Sequence, residues 1–184
     1  EYPTNDLGQV EYPRKRFFDE IFAVMKDTNR FVPIFNDKHL SFRWDWSKEI
    51  YDTARKLGVP LMAGSSVPLG QRVPLLEMPE KPDVQEIVSI HGGGLESYDF
   101  HAFEVLQSII ENRKGGETGV KSLHAMKGDA VWKAMADKMW DFNLFEACLC
   151  RSQTLAQTPT ASHRHPTADQ IREWVKEPVA YYYE

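Results

Sequence analysis

Apolar residues recur along this 184-residue chain with changing spacing, and the changes mark its elements. From Arg14 to about Thr28, Phe17, Phe18, Ile21, Phe22 and Met25 fall on one helical face. Asn29 and Arg30 end that helix. Phe31-Val32-Pro33-Ile34-Phe35 then reads as a short buried strand, although Pro33 cannot donate to a ladder. A second helix is predicted over about 43–57, with Trp46, Ile50, Ala54 and Leu57 on one face and Gly58 as its C′ residue. Residues 59–63 read as the next strand, ending at Gly64-Ser65-Ser66. Helix, strand, helix, strand at this spacing is the grammar of a parallel α/β sheet, where ligands bind beyond the strands' carboxyl ends. Those ends carry Asn36-Asp37-Lys38-His39 and Gly64-Ser65-Ser66.

Pro68, Pro74, Pro79 and Pro82 then interrupt all periodicity, which predicts a linker between two structural units. Beyond it, 84–90 alternates as a strand does and runs into Gly92-Gly93-Gly94. A helix follows over about 98–112, with an apolar face wide enough to predict that it is largely buried, and Arg113-Lys114-Gly115-Gly116 closes it. Residues 120–126 read as a strand. Asp129 and Asp141 read as N-caps of two further helices. Residues 151–166 are rich in Ser, Thr, Gln and His and read as a long loop. Thr167-Ala168-Asp169-Gln170 matches a capping box that opens a short helix with Ile171, Trp174 and Val175. The chain starts at Glu1 and stops in 178–184, a strand under way with no turn or partner after it; this predicts a piece of a longer protein.

Composition narrows the class. Hydrophobic residues make up 42% and charged residues 27%, as in ordinary globular proteins. The formal charge of −5, with no long like-charge block, argues against a nucleic-acid surface. No apolar run approaches the roughly 20 residues of a membrane span. Cys148 and Cys150 are two apart on a predicted helix and cannot readily bridge each other. They read as buried free thiols, and the expected compartment is the cytoplasm.

Candidate chemistry gathers where the glycines meet the third helix. His101 has Glu96, Ser97, Asp99 and Glu104 as polar neighbours, and Glu104, three residues on, shares its helical face. An imidazole beside a carboxylate can act as a general base near neutral pH. The competing reading is a capping Asp99, a glycine bulge and a structurally satisfied histidine. Lys38 at a strand's carboxyl end can hold a hydroxyl or phosphate, although a solvated loop accounts for it equally well on spacing alone. His91, His101, His124, His163 and His165 could supply a metal site, but no H-E-x-x-H or clustered Cys/His spacing occurs, and no metal is expected. Dinucleotide-fold, phosphate-loop and nucleophile-elbow motifs are absent as well.

Two of these stretches, taken together, resemble the glucose–fructose oxidoreductase/inositol dehydrogenase/rhizopine-catabolism family. That family has a Glu-Lys-Pro after a strand of its Rossmann domain; here Asp37, Lys38 and His39 take those places. Its second domain has a glycine run, then an Asp and a His four residues apart at a helix start; here Ser97 and His101 take those places, with Glu104 three further on. The resemblance covers about residues 17–112. It implies an α/β chain in which the C-terminal part of a Rossmann-like parallel sheet (1–67) leads through a Pro-rich linker (68–82) into part of an α+β domain with an open sheet (83–184). It implies an NAD(P)-dependent oxidoreductase acting on a sugar, polyol or related hydroxyl compound, with NAD or NADP as cofactor. His101 would be the acid/base and Lys38 would orient the hydroxyl. Asp99, Ser97, Glu104 and His91 would face the substrate, and Asn36 and Asp37 the cofactor. Residues 1–184 lack the glycine-rich segment that would grip a dinucleotide. The proline and glutamate of one motif and the aspartate of the other are replaced, which leaves a changed reaction or none as outcomes. The rival readings are a sugar isomerase or lyase on the same scaffold, metal-dependent or metal-free, using His91, His101 and Glu104, and a non-catalytic ligand-binding or assembly module. A small-molecule substrate and a homo-oligomer are the expected partners, the latter because an incomplete sheet exposes its edges.

Overall fold

The structure is a computed structural model and describes residues 2–73, 75, 77–151 and 168–184. Among them lie six α-helices and two small sheets, one parallel and one antiparallel, so the class is mixed α/β. The chain divides into two compact units, Glu1–Leu76 with Gly93–Val105, and Glu77–Gly92 with Leu106–Glu184. No helix among the described residues is long and apolar enough to cross a membrane.

In the first unit, helix α1 (Arg14–Asp27) leads to strand β1 (Ile34–Asp37), helix α2 (Trp44–Lys56) and strand β2 (Leu61–Gly64). The strands pair in parallel, from Ile34 opposite Leu61 to Asp37 opposite Gly64. β1 begins three residues later than the apolar run suggests, because Pro33 has no N–H and pairing starts with Ile34 N donating to Pro60 O at 2.9 Å. The helical stripes converge on one core: Phe18, Phe22 and Met25 of α1, Ile50 and Ala54 of α2, and Val59, with Ile34 and Leu61 from the sheet packed against them. Phe17 and Ile21, expected on that face, lie off the stripe and are exposed. The sheet's other face carries Phe35 and Met62, paired in register and also exposed.

Helix α3 (Leu95–Ile110) starts three residues earlier than its periodicity suggests. Gly94 O accepts from both Ser97 N and Tyr98 N, so the glycine run ends as the helix begins, and Glu96 and Ser97 fall in the first turn. None of α3 is fully buried, contrary to the expectation from its wide apolar face. Burying a helix needs elements packed along it, and α3 shares few close contacts with any other helix or strand. At its end Arg113 Nη1 donates to Ile110 O at 2.7 Å and satisfies a terminal carbonyl.

In the second unit, strand β3 (Leu123–Lys127) and strand β4 (Val179–Tyr183) form an antiparallel pair. The C-terminal strand therefore has a partner, where the sequence suggested none. Helices α4 (Asp129–Ala136), α5 (Phe142–Leu149) and α6 (Ala168–Trp174) supply Val131, Trp132, Leu149 and Ile171 to a second core. Asp141 caps α5 as predicted, accepting from Leu144 N at 2.7 Å. Asp129 does not cap α4; it is the first helical residue, and Gly128 at φ 60° makes the sharp turn out of β3. Residues 84–90 form no strand. No strand among the described residues lies beside them, and side chains tether them instead: Glu86 accepts from Asp141 N at 2.9 Å, and Val88 O receives the Cys148 thiol at 3.7 Å. Cys148 is half-buried, with its thiol pKa raised first by burial, whereas Cys150 is exposed. The predicted 151–166 loop, His163, His165 and the capping Thr167 lie outside the described residues, apart from Arg151.

Candidate functional site at the carboxyl ends of the parallel strands

The first unit's parallel pair ends at Asp37 and Gly64, and its candidate chemistry lies just beyond. Lys38 N donates to Gly64 O at 3.0 Å, an isolated antiparallel bridge just past the end of the parallel ladder. Lys38 sits at φ 124°, a conformation that side-chain-bearing residues rarely adopt. Asn36 explains how it is held. Its amide donates to Lys38 O at 2.6 Å and to His39 O at 3.3 Å, so a side chain within β1 ties down the strained turn. Lys38 Nζ pairs with Asp37 at 2.7 Å, a partly exposed ion pair of the kind that contributes at most about 1 kcal/mol. Such a pair opens readily to an incoming hydroxyl or anion.

Across the ladder, Ser65 follows Gly64 and meets α3. Ser65 Oγ lies 2.6 Å from His101 Nδ1, and Ser65 N donates to Glu104 Oε2 at 2.8 Å. His101 and Glu104 are one helical turn apart, and both grip the same residue. The grip depends on Gly64: at φ 155°, with no side chain, it leaves room for the Glu104 carboxylate where a Cβ would stand. Ser65 Oγ also accepts from Val67 N at 3.0 Å, which anchors the hydroxyl in a short 3-10 turn over Val67–Leu69. The acidic neighbour of His101 in the sequence thus serves its serine partner.

A second histidine flanks the site. Arg14 Nη1 donates to His39 Nε2 at 2.7 Å and lies 3.2 Å from His39 O. Burial first, and then the Arg14 and Lys38 cations, lower the His39 pKa to about 4. His39 is therefore a neutral acceptor at ordinary pH. Its ring meets Phe100 edge-on at 5.4 Å, and Phe100 lies 5.5 Å from the His101 ring. Glu96, at the start of α3, accepts from Val10 N at 3.0 Å. Position on α3 thus comes from Val10, His39 and Ser65 together.

The structure therefore brings Asn36, Asp37, Lys38, His101 and Glu104 to the strand ends of one unit. Ser97 lies in the first turn of α3 and Asp99 in its second, on the approach to His101. His91 belongs to the other unit. Among the described residues no group of three or more His, Cys, Asp or Glu could hold a metal ion. The described residues supply no pyrophosphate cradle at the β1–α2 turn. A pyrophosphate is held by a glycine-rich turn at a helix N-terminus. The turn from β1 to α2 has no glycine, Asp45 places a carboxylate in the first turn of α2, and the Asn36 amide is committed to two carbonyls.

Ser65 and Arg14 do not stand out in sequence reasoning. Ser65 follows a strand end that the pattern marks as a ligand position, but nothing local joins it to a histidine 36 residues away. Arg14 reads only as the first residue of a helix. Comparison with protein-family models, curated proteins and solved structures found no match to this chain.

Proposed function

We propose that the first unit carries the acid–base portion of an oxidoreductase-like site acting on a small hydroxyl compound, a sugar or polyol. The observation that carries this reading is the hydrogen bond between Ser65 Oγ and His101 Nδ1, 2.6 Å long, at the carboxyl end of a parallel strand pair. It engages one ring nitrogen and leaves Nε2 to take a proton from a hydroxyl or return it. Lys38, on the neighbouring strand end, is the cation that orients the hydroxyl and favours its ionised form once it leaves Asp37. NAD or NADP belongs to the reading through the family resemblance alone, and no step is routed through it, because the described residues offer no cradle for it. The setting is the cytoplasm, a reading supported by the free thiols of Cys148 and Cys150. Self-association is supported by two-stranded sheets that keep edges without strand partners among the described residues.

The test is turnover by the protein expressed from its complete gene, followed as NAD(P)H formation across a panel of sugars and polyols. The reading predicts activity with at least one of them, lowered by at least about 100-fold in His101→Asn and strongly reduced in Lys38→Ala. If neither NADH nor NADPH binds by fluorescence titration, the redox portion is wrong. Activity that survives both substitutions would remove the site assignment.

A further inference from the structure

We infer that Ser65 is the positioning residue of His101: through Nδ1 it holds the imidazole in one orientation in both charge states, so that Nε2 exchanges the proton. The inference rests on the acid–base reading above and adds to it a residue that neither the motifs nor the resemblance names.

Three bonds meet at Ser65. Its N–H donates to Glu104 Oε2 at 2.8 Å, its Oγ accepts from Val67 N at 3.0 Å, and the same Oγ lies 2.6 Å from His101 Nδ1. A serine hydroxyl offers one hydrogen and two acceptor positions. Val67 fills one acceptor position. The hydroxyl hydrogen and the second acceptor position remain, and either can serve Nδ1. The exchange at Nε2 uses the acceptor position: Nδ1–H donates to Oγ both in the imidazolium and in the neutral tautomer whose Nε2 is bare, so the ring keeps this bond while Nε2 gains or loses its proton. A carboxylate in the same place would behave differently, because it favours the imidazolium over the neutral ring. Glu104 is held away from that role by the Ser65 amide, within the space that Gly64 leaves open. Both contacts come from one turn of α3, which sets imidazole and hydroxyl in register.

The experiment follows the His101 ring protons by NMR in ¹⁵N-histidine-labelled protein, with the imidazole doubly protonated. An unbonded ring N–H exchanges with water too fast to be seen. The expected result is a visible Nδ1–H resonance in the wild-type protein, exchange at least tenfold faster in Ser65→Ala, and a restored signal in Ser65→Thr. An invisible Nδ1–H in the wild type, or the same exchange in Ser65→Ala, would overturn the inference. The wild-type spectrum decides by itself if Ser65→Ala does not fold. A serine that served only the turn would leave the ring proton unaffected. No substrate or turnover enters the measurement, so it can fail while the acid–base reading stands, and the reverse also holds.

Discussion

Lys38 combines two properties. It bears the cation of the candidate site, and its backbone sits at φ 124°, held there by the Asn36 amide. Strained non-glycine residues cluster at functional sites, where the surrounding structure over-determines them. Lys38→Gly relieves that strain and removes the cation. It is predicted to raise unfolding stability by about 1 kcal/mol in urea titration, the lower end of the cost of such a conformation, while turnover falls. A loss of stability would contradict the strain assignment. His39 gives a pH test of the same turn. Its pKa is about 4 in the folded chain against an ordinary 6.5, lowered by burial and then by Arg14 and Lys38. The folded state therefore binds fewer protons than the unfolded state between these values, and stability must fall as pH drops from about 6.5 toward 4. His39→Gln keeps an acceptor for Arg14 and removes the titration. The stability difference between wild type and His39→Gln should shrink or reverse across that window, and a constant difference would rule out His39 as the cause.

At the scale of elements, the helices of the first unit were legible because 3.6-residue periodicity survives without knowledge of partners. Phe18, Phe22, Met25, Ile50 and Ala54 were marked by spacing and are buried. Ile50, at 1% exposure, is the largest fully buried side chain, and Ile50→Ala should cost about 2–5 kcal/mol by chemical denaturation. A cost below 1 kcal/mol would mean that this core is not the one that stabilises the unit. Boundaries were less legible because backbone bonding sets them. Pro33 delays β1, Gly94 advances α3 and Gly128 displaces Asp129 from its cap. The alternation at 84–90 misled because a strand needs a neighbour, and the pattern of one segment cannot supply it. For α3, how much of the apolar face is covered depends on which elements pack along it, which local spacing does not encode.

At the scale of the molecule, the parallel strand order was legible from the alternation of helix and strand, and with it the expectation that chemistry lies at the carboxyl ends. His101 and Lys38 stood out as candidate residue types, and the structure puts one in the second turn of α3 and the other just past β1. Their link was not legible, because it passes through Ser65 and Gly64, joined to α3 only by folding. A serine gains its meaning here from a histidine and a glutamate one turn apart on a distant helix. The central claim is that this junction receives a hydroxyl compound at His101. The most direct test is NMR of the labelled His101 ring during titration with a panel of sugars and polyols, in wild type and in Lys38→Ala. The account predicts saturable shifts of the His101 ring signals with at least one compound, weakened at least tenfold in affinity by Lys38→Ala. Ring signals unmoved by every compound in the panel would contradict it.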